Sequence, residues 1–216
     1  MGLRSALVQL YRVTSAFAEP DSQAGATRLK ASGSVSAVGD DALMATQDYR
    51  AYVAEQSQRR PSQIFENRST SHATVVIEHL LNGADAWIHF VTHKVNPSVY
   101  GSPEIIAAAR AMLGRNNNAR IVLLAENNVD RLTHPFFATL DAEPGIGERI
   151  KLQFVPAEVQ QTYSYNFGVN DHSDYRFEAS REHHEAIVQF GGEAFAQSLE
   201  NTFQSLLGAA TDPRVA

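Results

Sequence analysis

The chain contains no cysteine, so it forms no disulfide framework and binds no metal through thiolates. Long apolar runs are also absent, and no stretch approaches the roughly 18 residues that a membrane-spanning helix needs. Ser15–Ala18 faintly resembles a signal-peptide cleavage site, but Gln9, Tyr11 and Arg12 interrupt the apolar stretch before it. We therefore expect a cytoplasmic protein that does not associate with membranes.

Basic residues are too few for a broadly positive surface. The chain has 18 Lys and Arg against 24 Asp and Glu, a net charge of −6. This balance does not indicate a nucleic-acid or phosphate ligand, although it leaves room for a local basic groove. A glycine-rich phosphate loop is missing as well, because Gly145 and Gly147 lie in an acidic turn and not between a strand and a helix.

The first 60 residues have a different character from the rest of the 216-residue chain. Leu3–Phe17 carries apolar residues on one face of a predicted helix, whereas residues 19–42 are rich in Ser, Gly and Ala and too polar for a core. Helical character returns in Asp41–Gln58 and ends at Pro61. We predict a helical N-terminal arm with a flexible linker over residues 1–60, followed by one α/β domain over residues 61–216.

Within residues 61–216, short apolar runs alternate with helix signals, a pattern typical of a sheet covered by helices. Helix starts are expected at Ser69 and Ser102 and near Thr133, where capping residues precede apolar periodicity. Two alternating segments flanking a polar turn at Asn170–Ser173 indicate a β-hairpin. The predicted strands are Ala86–Val91, Arg120–Ala125, Ile150–Phe154, Tyr163–Val169 and Tyr175–Glu178, and Glu193–Leu207 is the last helix.

This order of elements, from about residue 62 to 208, resembles a single phospholipase D-like repeat. The resemblance rests on the segments AWIHFV, RIVLLAE and KLQFVP, on the strand–Asp–strand hairpin and on the terminal YRFE…F…L pattern. It implies a mixed β-sheet flanked by helices and a homodimer whose active site lies across the two-fold axis. The family motif HxKxxxxD is absent: counting back from Asp171 gives Ser164 and Asn166, and counting back from Asp174 gives Phe167 and Val169. The chain therefore resembles degenerate family members that lack the HKD residues.

Polar residues follow the predicted strands where ligands gather in parallel sheets, at the carboxyl ends. His93, Glu126 and Glu178 are the candidate catalytic residues. The candidate ligand-binding residues are Lys94, Tyr163, Tyr165 and Arg176. Ordinary readings remain open: Lys94 and Glu126 as solvated loop residues, and the two tyrosines as packing residues. The predicted site consists of His93, Lys94, Glu126, Tyr163, Tyr165, Arg176 and Glu178.

Histidines are frequent, but their spacing does not form a metal motif. His72 and His79 share a predicted helix without an identifiable third ligand. Glu182–Glu185 (EHHE) lacks the spacing that places two imidazoles on one helical face, and we interpret it as a polar loop that enters a helix. The sequence predicts no metal site and no cofactor.

Two functional hypotheses follow. The first is a non-catalytic interaction or ligand-sensing protein, homodimeric, which acts with a partner protein or nucleic acid. The second is a nuclease or phosphodiesterase with a rebuilt site that uses His93, Glu126 and Glu178. Because phosphoryl transfer through a covalent intermediate requires an activated nucleophile, the missing HxK residues favour the first hypothesis.

Overall fold

The computed structural model describes residues 40–61, 63–179 and 185–211. The predicted helix at Leu3–Phe17 and nearly all of the predicted linker lie outside these residues. The described helices are α1 Asp40–Arg59, α2 Thr70–Gly83, α3 Pro97–Tyr100, α4 Pro103–Arg115, α5 Pro135–Asp141, α6 Ala157–Gln160 and α7 Glu193–Leu207. The described strands are β1 Phe65–Asn67, β2 Trp87–Thr92, β3 Arg120–Ala125, β4 Ile150–Phe154, β5 Asn166–Asn170, β6 Tyr175–Glu178 and β7 Ala186–Gln189.

The strands form one seven-stranded mixed sheet in the order β1-β7-β6-β5-β2-β3-β4. Strands β2, β3 and β4 are parallel, because helices α4 and α5 lie in the connections between them. The β5–β6 hairpin enters antiparallel beside β2, and β7 and β1 continue the antiparallel pattern to the far edge. The predicted α/β class with a mixed sheet flanked by helices is therefore confirmed.

Each face of the sheet supports its own hydrophobic core. Side chains such as Ile88 and Leu123 pack under α2, α4 and α5, whereas Val91 and Leu124 point to the opposite face and pack under α7. This division follows from the alternation of side chains along a strand. Helix α1 contributes Val53 to the first core. The division of the chain at residue 60 stays a prediction.

Capping residues start the central helices where the sequence predicts them. The Ser69 hydroxyl accepts a hydrogen bond from the His72 amide, and the Ser102 hydroxyl accepts one from Ile105. Helix α4 continues through Gly114 to Arg115. None of the described helices has both the length and the apolar character that crossing a bilayer requires.

Strands β1 and β7 are the two described strands that were not predicted from the sequence, and the one-turn helices α3 and α6 were not predicted either. We expected a helix to follow the polar segment at Glu182–Glu185, but Ala186–Gln189 is strand β7, paired with both β6 and β1. Most of the polar segment itself lies outside the described residues. Strand β1 has only three residues, too few for alternation to reveal it, and the pairing of both strands depends on partners that are distant along the chain.

His134 caps helix α5 through one nitrogen of its ring and binds a neighbouring loop through the other. Nδ1 accepts a hydrogen bond from the Phe136 amide at 3.3 Å, and Nε2 donates to the Val95 carbonyl at 3.0 Å. A protonated imidazole has no acceptor, so charging this ring breaks the cap. Burial lowers the pKa of His134 from 6.5, partly offset by the hydrogen bond to Val95.

We expect the free energy of unfolding to fall as pH drops below 6.5 and through the lowered pKa of His134, because the unfolded chain then binds more protons. The His134→Asn variant keeps a capping oxygen that does not titrate and should show a shallower pH dependence. Urea unfolding between pH 5 and 8 measures both slopes. Equal slopes for the two proteins would contradict this role of His134.

Candidate functional site

The carboxyl ends of β2 and β3 meet the start of α2 and of β5 at one edge of the sheet. A cavity of about 100 Å³ opens there on the α2 face. We refer to it as the strand-end cavity. It is lined by Ser69, Thr70, Ala73, Ile77, Phe90, Val91, Thr92, His93, Lys94, Asn96, Val99, Tyr100, Asn166, Phe167, Gly168, Arg176 and Glu178.

The hairpin returns Glu178 to this edge, as the sequence predicts. Glu178 pairs with Asn166 at the start of β5, and β5 in turn pairs with the end of β2. Asn170 holds the polar turn, since its side-chain oxygen accepts hydrogen bonds from the amides of His172 and Asp174. Glu178 and Glu126 therefore lie at the same end of the sheet.

A buried cluster centred on Arg176 forms one wall of the cavity. The Arg176 Nη1 donates to Glu178 Oε2 at 3.0 Å, and its Nε donates to the Asn67 side-chain oxygen at 2.8 Å. Arg176 and Glu178 are 8% and 6% exposed. Within the described residues, Arg176 Nη2 makes no hydrogen bond. The guanidinium is thus fixed on one side and retains a donor.

Asn67 and Tyr100 belong to this wall and were not predicted. Asn67 is fully buried at the end of β1, itself a strand that was not predicted. Tyr100 closes the short helix α3 and is 7% exposed. Burial raises the pKa of Tyr100 and outweighs the opposing influence of Arg176, so its hydroxyl stays protonated. No local pattern around either residue signals this role.

His93 and Glu126 form a second pair at the same edge. His93 Nδ1 lies 2.7 Å from Glu126 Oε2, and the Asn127 amide donates to His93 Nε2 at 3.2 Å. These contacts suit a neutral imidazole that donates from Nδ1. The Glu126 side chain is fully buried, whereas that of His93 is 43% exposed. His93 therefore lines the cavity and Glu126 supports it from behind.

Lys94 is exposed beside this pair and borders the cavity. Its ammonium makes no ion pair or hydrogen bond within the described residues. Nearby, the side-chain oxygen of Asn166 accepts a hydrogen bond from the His93 amide at 2.7 Å and so ties β5 to the end of β2. Five predicted residues therefore meet at this edge: His93, Lys94, Glu126, Arg176 and Glu178.

Tyr163 and Tyr165 do not line the cavity, which corrects our expectation for these two residues. Tyr163 is buried in the second core, and Tyr165 packs there with its ring centroid 5.5 Å from that of Phe177. Alternation along the chain explains the correction, because Asn166 and Gly168 take the cavity side and the tyrosines take the α7 side. The same alternation would have indicated Asn166 as the cavity residue.

No family model matches the chain, and no curated protein matches it either. Among solved structures, the chain is similar to TrmBL2, an archaeal chromatin protein whose structure shows a novel mode of DNA binding. The TM-score is 0.50 with 12% sequence identity, and the match covers 80% of this chain and 64% of TrmBL2. The chain thus spans less than two thirds of that protein. At this identity the similarity concerns the fold alone.

The cavity offers hydrogen-bond donors and a fixed cation, and the hydroxyl of Ser69 is engaged within the protein. The Ser69 oxygen serves as the cap of α2 and contacts the hydroxyl of Ser71, and no histidine of the described residues hydrogen-bonds to it through its ring. Among the described residues, no group of three or more His, Asp and Glu side chains could hold a metal ion. The arrangement suits binding of a small group that accepts hydrogen bonds.

We expect Arg176→Met to lower the free energy of unfolding by about 3–5 kcal/mol, because it breaks the buried ion pair between Arg176 and Glu178. Adding Glu178→Gln should recover part of this loss, since the double variant removes both charges of that pair. Urea unfolding measures all three proteins. Arg59→Met is the matched control, because Arg59 pairs with Glu55 at the surface and should change stability by no more than about 1 kcal/mol. Equal effects at the two sites would contradict the buried cluster.

Proposed function

We propose that this protein is a non-catalytic ligand-sensing domain that binds a small anionic group, such as phosphate or a carboxylate, in the strand-end cavity. The observation that carries the proposal is Arg176, a buried guanidinium that lines the cavity, is fixed by Glu178 and Asn67, and whose Nη2 has no hydrogen-bond partner among the described residues. Guanidinium groups held in this way recognise oxyanions with high geometric specificity.

Two further features favour an anion. Helix α2 begins at the cavity wall with Ser69 and Thr70, so the positive end of its dipole points toward the ligand. Lys94 adds a cation at the rim. The volume of about 100 Å³ is below the roughly 300–1,000 Å³ of sites for drug-sized molecules. The cavity therefore fits a single phosphate or carboxylate group better than a whole nucleotide.

A second candidate function is a phosphodiesterase or nuclease with a rebuilt site. The observation in its favour is the His93–Glu126 pair, because a carboxylate behind Nδ1 orients a histidine for general-base or nucleophilic work. Against it, Asn127 already occupies Nε2, and Glu178 is engaged by Arg176. We favour binding over catalysis for these reasons.

We further propose that the chain is a phospholipase D-like repeat without the HKD residues, that it forms a homodimer, and that it acts with a partner protein or nucleic acid. The mixed sheet and the hairpin that returns to the strand ends support the first part. The similarity to TrmBL2, a chromatin protein with a novel mode of DNA binding, is compatible with a nucleic-acid partner. For the dimer, the support is the β4 edge, of which only Phe154 is paired among the described residues, with Thr211.

We expect inorganic phosphate to raise the midpoint of thermal unfolding, because a ligand that binds only the folded state stabilises it. Lys94→Ala should weaken phosphate binding by about three- to tenfold in calorimetry, whereas Arg110→Ala, which removes a surface cation that does not line the cavity, should not. The unaltered protein should not hydrolyse DNA, RNA or simple phosphodiesters. Turnover that disappears in His93→Ala would overturn the proposal in favour of the second candidate, and a phosphate response unchanged by Lys94→Ala would remove the strand-end cavity as the site.

Light scattering should give twice the chain mass of 23.7 kDa. A stable pair needs an interface of roughly 1,600 Å² in total, and pairing through the sheet should survive deletion of residues 1–18. A mass of 23.7 kDa throughout the micromolar range would contradict the homodimer. If the homodimer dissociates when residues 1–18 are deleted, the dimer contact belongs to the N-terminal arm and not to the sheet.

A further inference from the structure

A second and larger cavity lies on the other face of the sheet, away from the strand-end cavity. It measures about 600 Å³ and runs between the strands β2, β3 and β4 and the helix α7. We call it the α7 groove. It is lined by Ala86, Trp87, His89, Asn118, Arg120, Val122, Lys151, Gln153, Glu200, Gln204 and Leu207. Its volume is in the range of small-molecule sites.

A column of three stacked rings forms one wall of the groove. The Trp87 and His89 ring centroids are 4.5 Å apart, and those of His89 and Phe203 are 4.0 Å apart with nearly parallel planes. His89 Nδ1 lies 2.7 Å from Glu200 Oε2, which holds the central ring in place. Trp87 is the outer, half-buried ring of the column. A further planar ring could continue the stack on it.

Two cations lie beside this wall. Among the Lys and Arg side chains of the described residues, only Lys94, Arg120 and Lys151 make no ion pair and no hydrogen bond. The others bond to carboxylates or to backbone carbonyls. Arg120 is the neighbour of Trp87 in register, and Lys151 is the neighbour of Val122 on the next strand. The Cα atoms of Arg120 and Lys151 are therefore about 8 Å apart, close enough for both side chains to reach one phosphate.

We propose that the α7 groove binds a nucleotide, with the base stacked on Trp87 and the phosphate held by Arg120 and Lys151. A ligand with an aromatic ring and an anionic group matches both the aromatic wall and the two cations. An apolar ligand or an anion without a ring matches only one of them. The nucleotide is either free or part of a single strand. This site is independent of the proposed function, since it lies on the opposite face of the sheet.

Trp87 makes the test specific, because it is the single tryptophan of the chain. The full-length protein is titrated with AMP, adenosine, ribose 5-phosphate and a short oligo-dA strand while tryptophan fluorescence is recorded. AMP or the strand should quench the fluorescence saturably, adenosine more weakly, and ribose 5-phosphate hardly at all. Saturable quenching by AMP assigns a free nucleotide, whereas quenching by the strand alone assigns single-stranded nucleic acid.

Three variants complete the experiment. Lys151→Ala and Arg120→Ala should each weaken binding by about tenfold while leaving the fluorescence of the free protein unchanged. Lys94→Ala is the matched control and should bind as the unaltered protein does, because Lys94 borders the other cavity. Trp87→Ala should weaken binding of AMP or the strand by about fivefold or more, as measured by calorimetry.

The proposal is overturned if neither AMP nor the strand quenches Trp87 saturably. It is also overturned if Lys151→Ala and Lys94→Ala affect binding equally. Stabilisation by inorganic phosphate that does not quench Trp87 belongs to the strand-end cavity. The failure of one site is therefore distinguishable from the failure of the other.

Discussion

The buried ion pair between Arg176 and Glu178 is the interaction on which the functional edge of the sheet depends. Removing two charges from water costs several kcal/mol for each ion, so both groups need complete and well-aligned partners. Asn67 supplies one of these partners from β1, the strand at the far edge. The pair thus couples the outer antiparallel strands to the wall of the strand-end cavity. A site built in this way has a fixed shape before a ligand arrives.

The change from parallel to antiparallel pairing at β2 determines what that edge contains. Since β5 runs opposite to β2, the start of β5 and the end of β6 arrive where β2 and β3 end. Asn166 and Glu178 consequently stand beside His93, although 73 positions separate His93 from Asn166 along the chain. Alternation along the same strands creates the α7 groove on the other face. One sheet therefore supports two cavities of different chemistry: one has a buried, paired guanidinium and the other has two cations without partners among the described residues.

Much of this was accessible from local patterns, and the reasons are physical. Apolar runs such as Arg120–Ala125 predicted buried strands, and Ser69 and Ser102 predicted helix starts, because capping and burial are local requirements. The polar turn between alternating segments correctly predicted that Glu178 returns to the edge of Glu126. The tyrosines were assigned wrongly because the strand ends were located correctly but the face of the sheet was not. One residue of register moves a side chain to the opposite face.

The sequence by itself determined the α/β class, the order of the central strands and helices, and the approach of five polar residues to one edge. Only the tertiary structure decided which charged residues are neutralised. Arg176 finds Asn67 and Glu178, whereas Arg120 and Lys151 find no partner among the described residues, yet all three cations belong to short strands of ordinary composition. Pairing of this kind depends on strands that are distant along the chain, and a charged residue carries no local signal of whether its partner will be present.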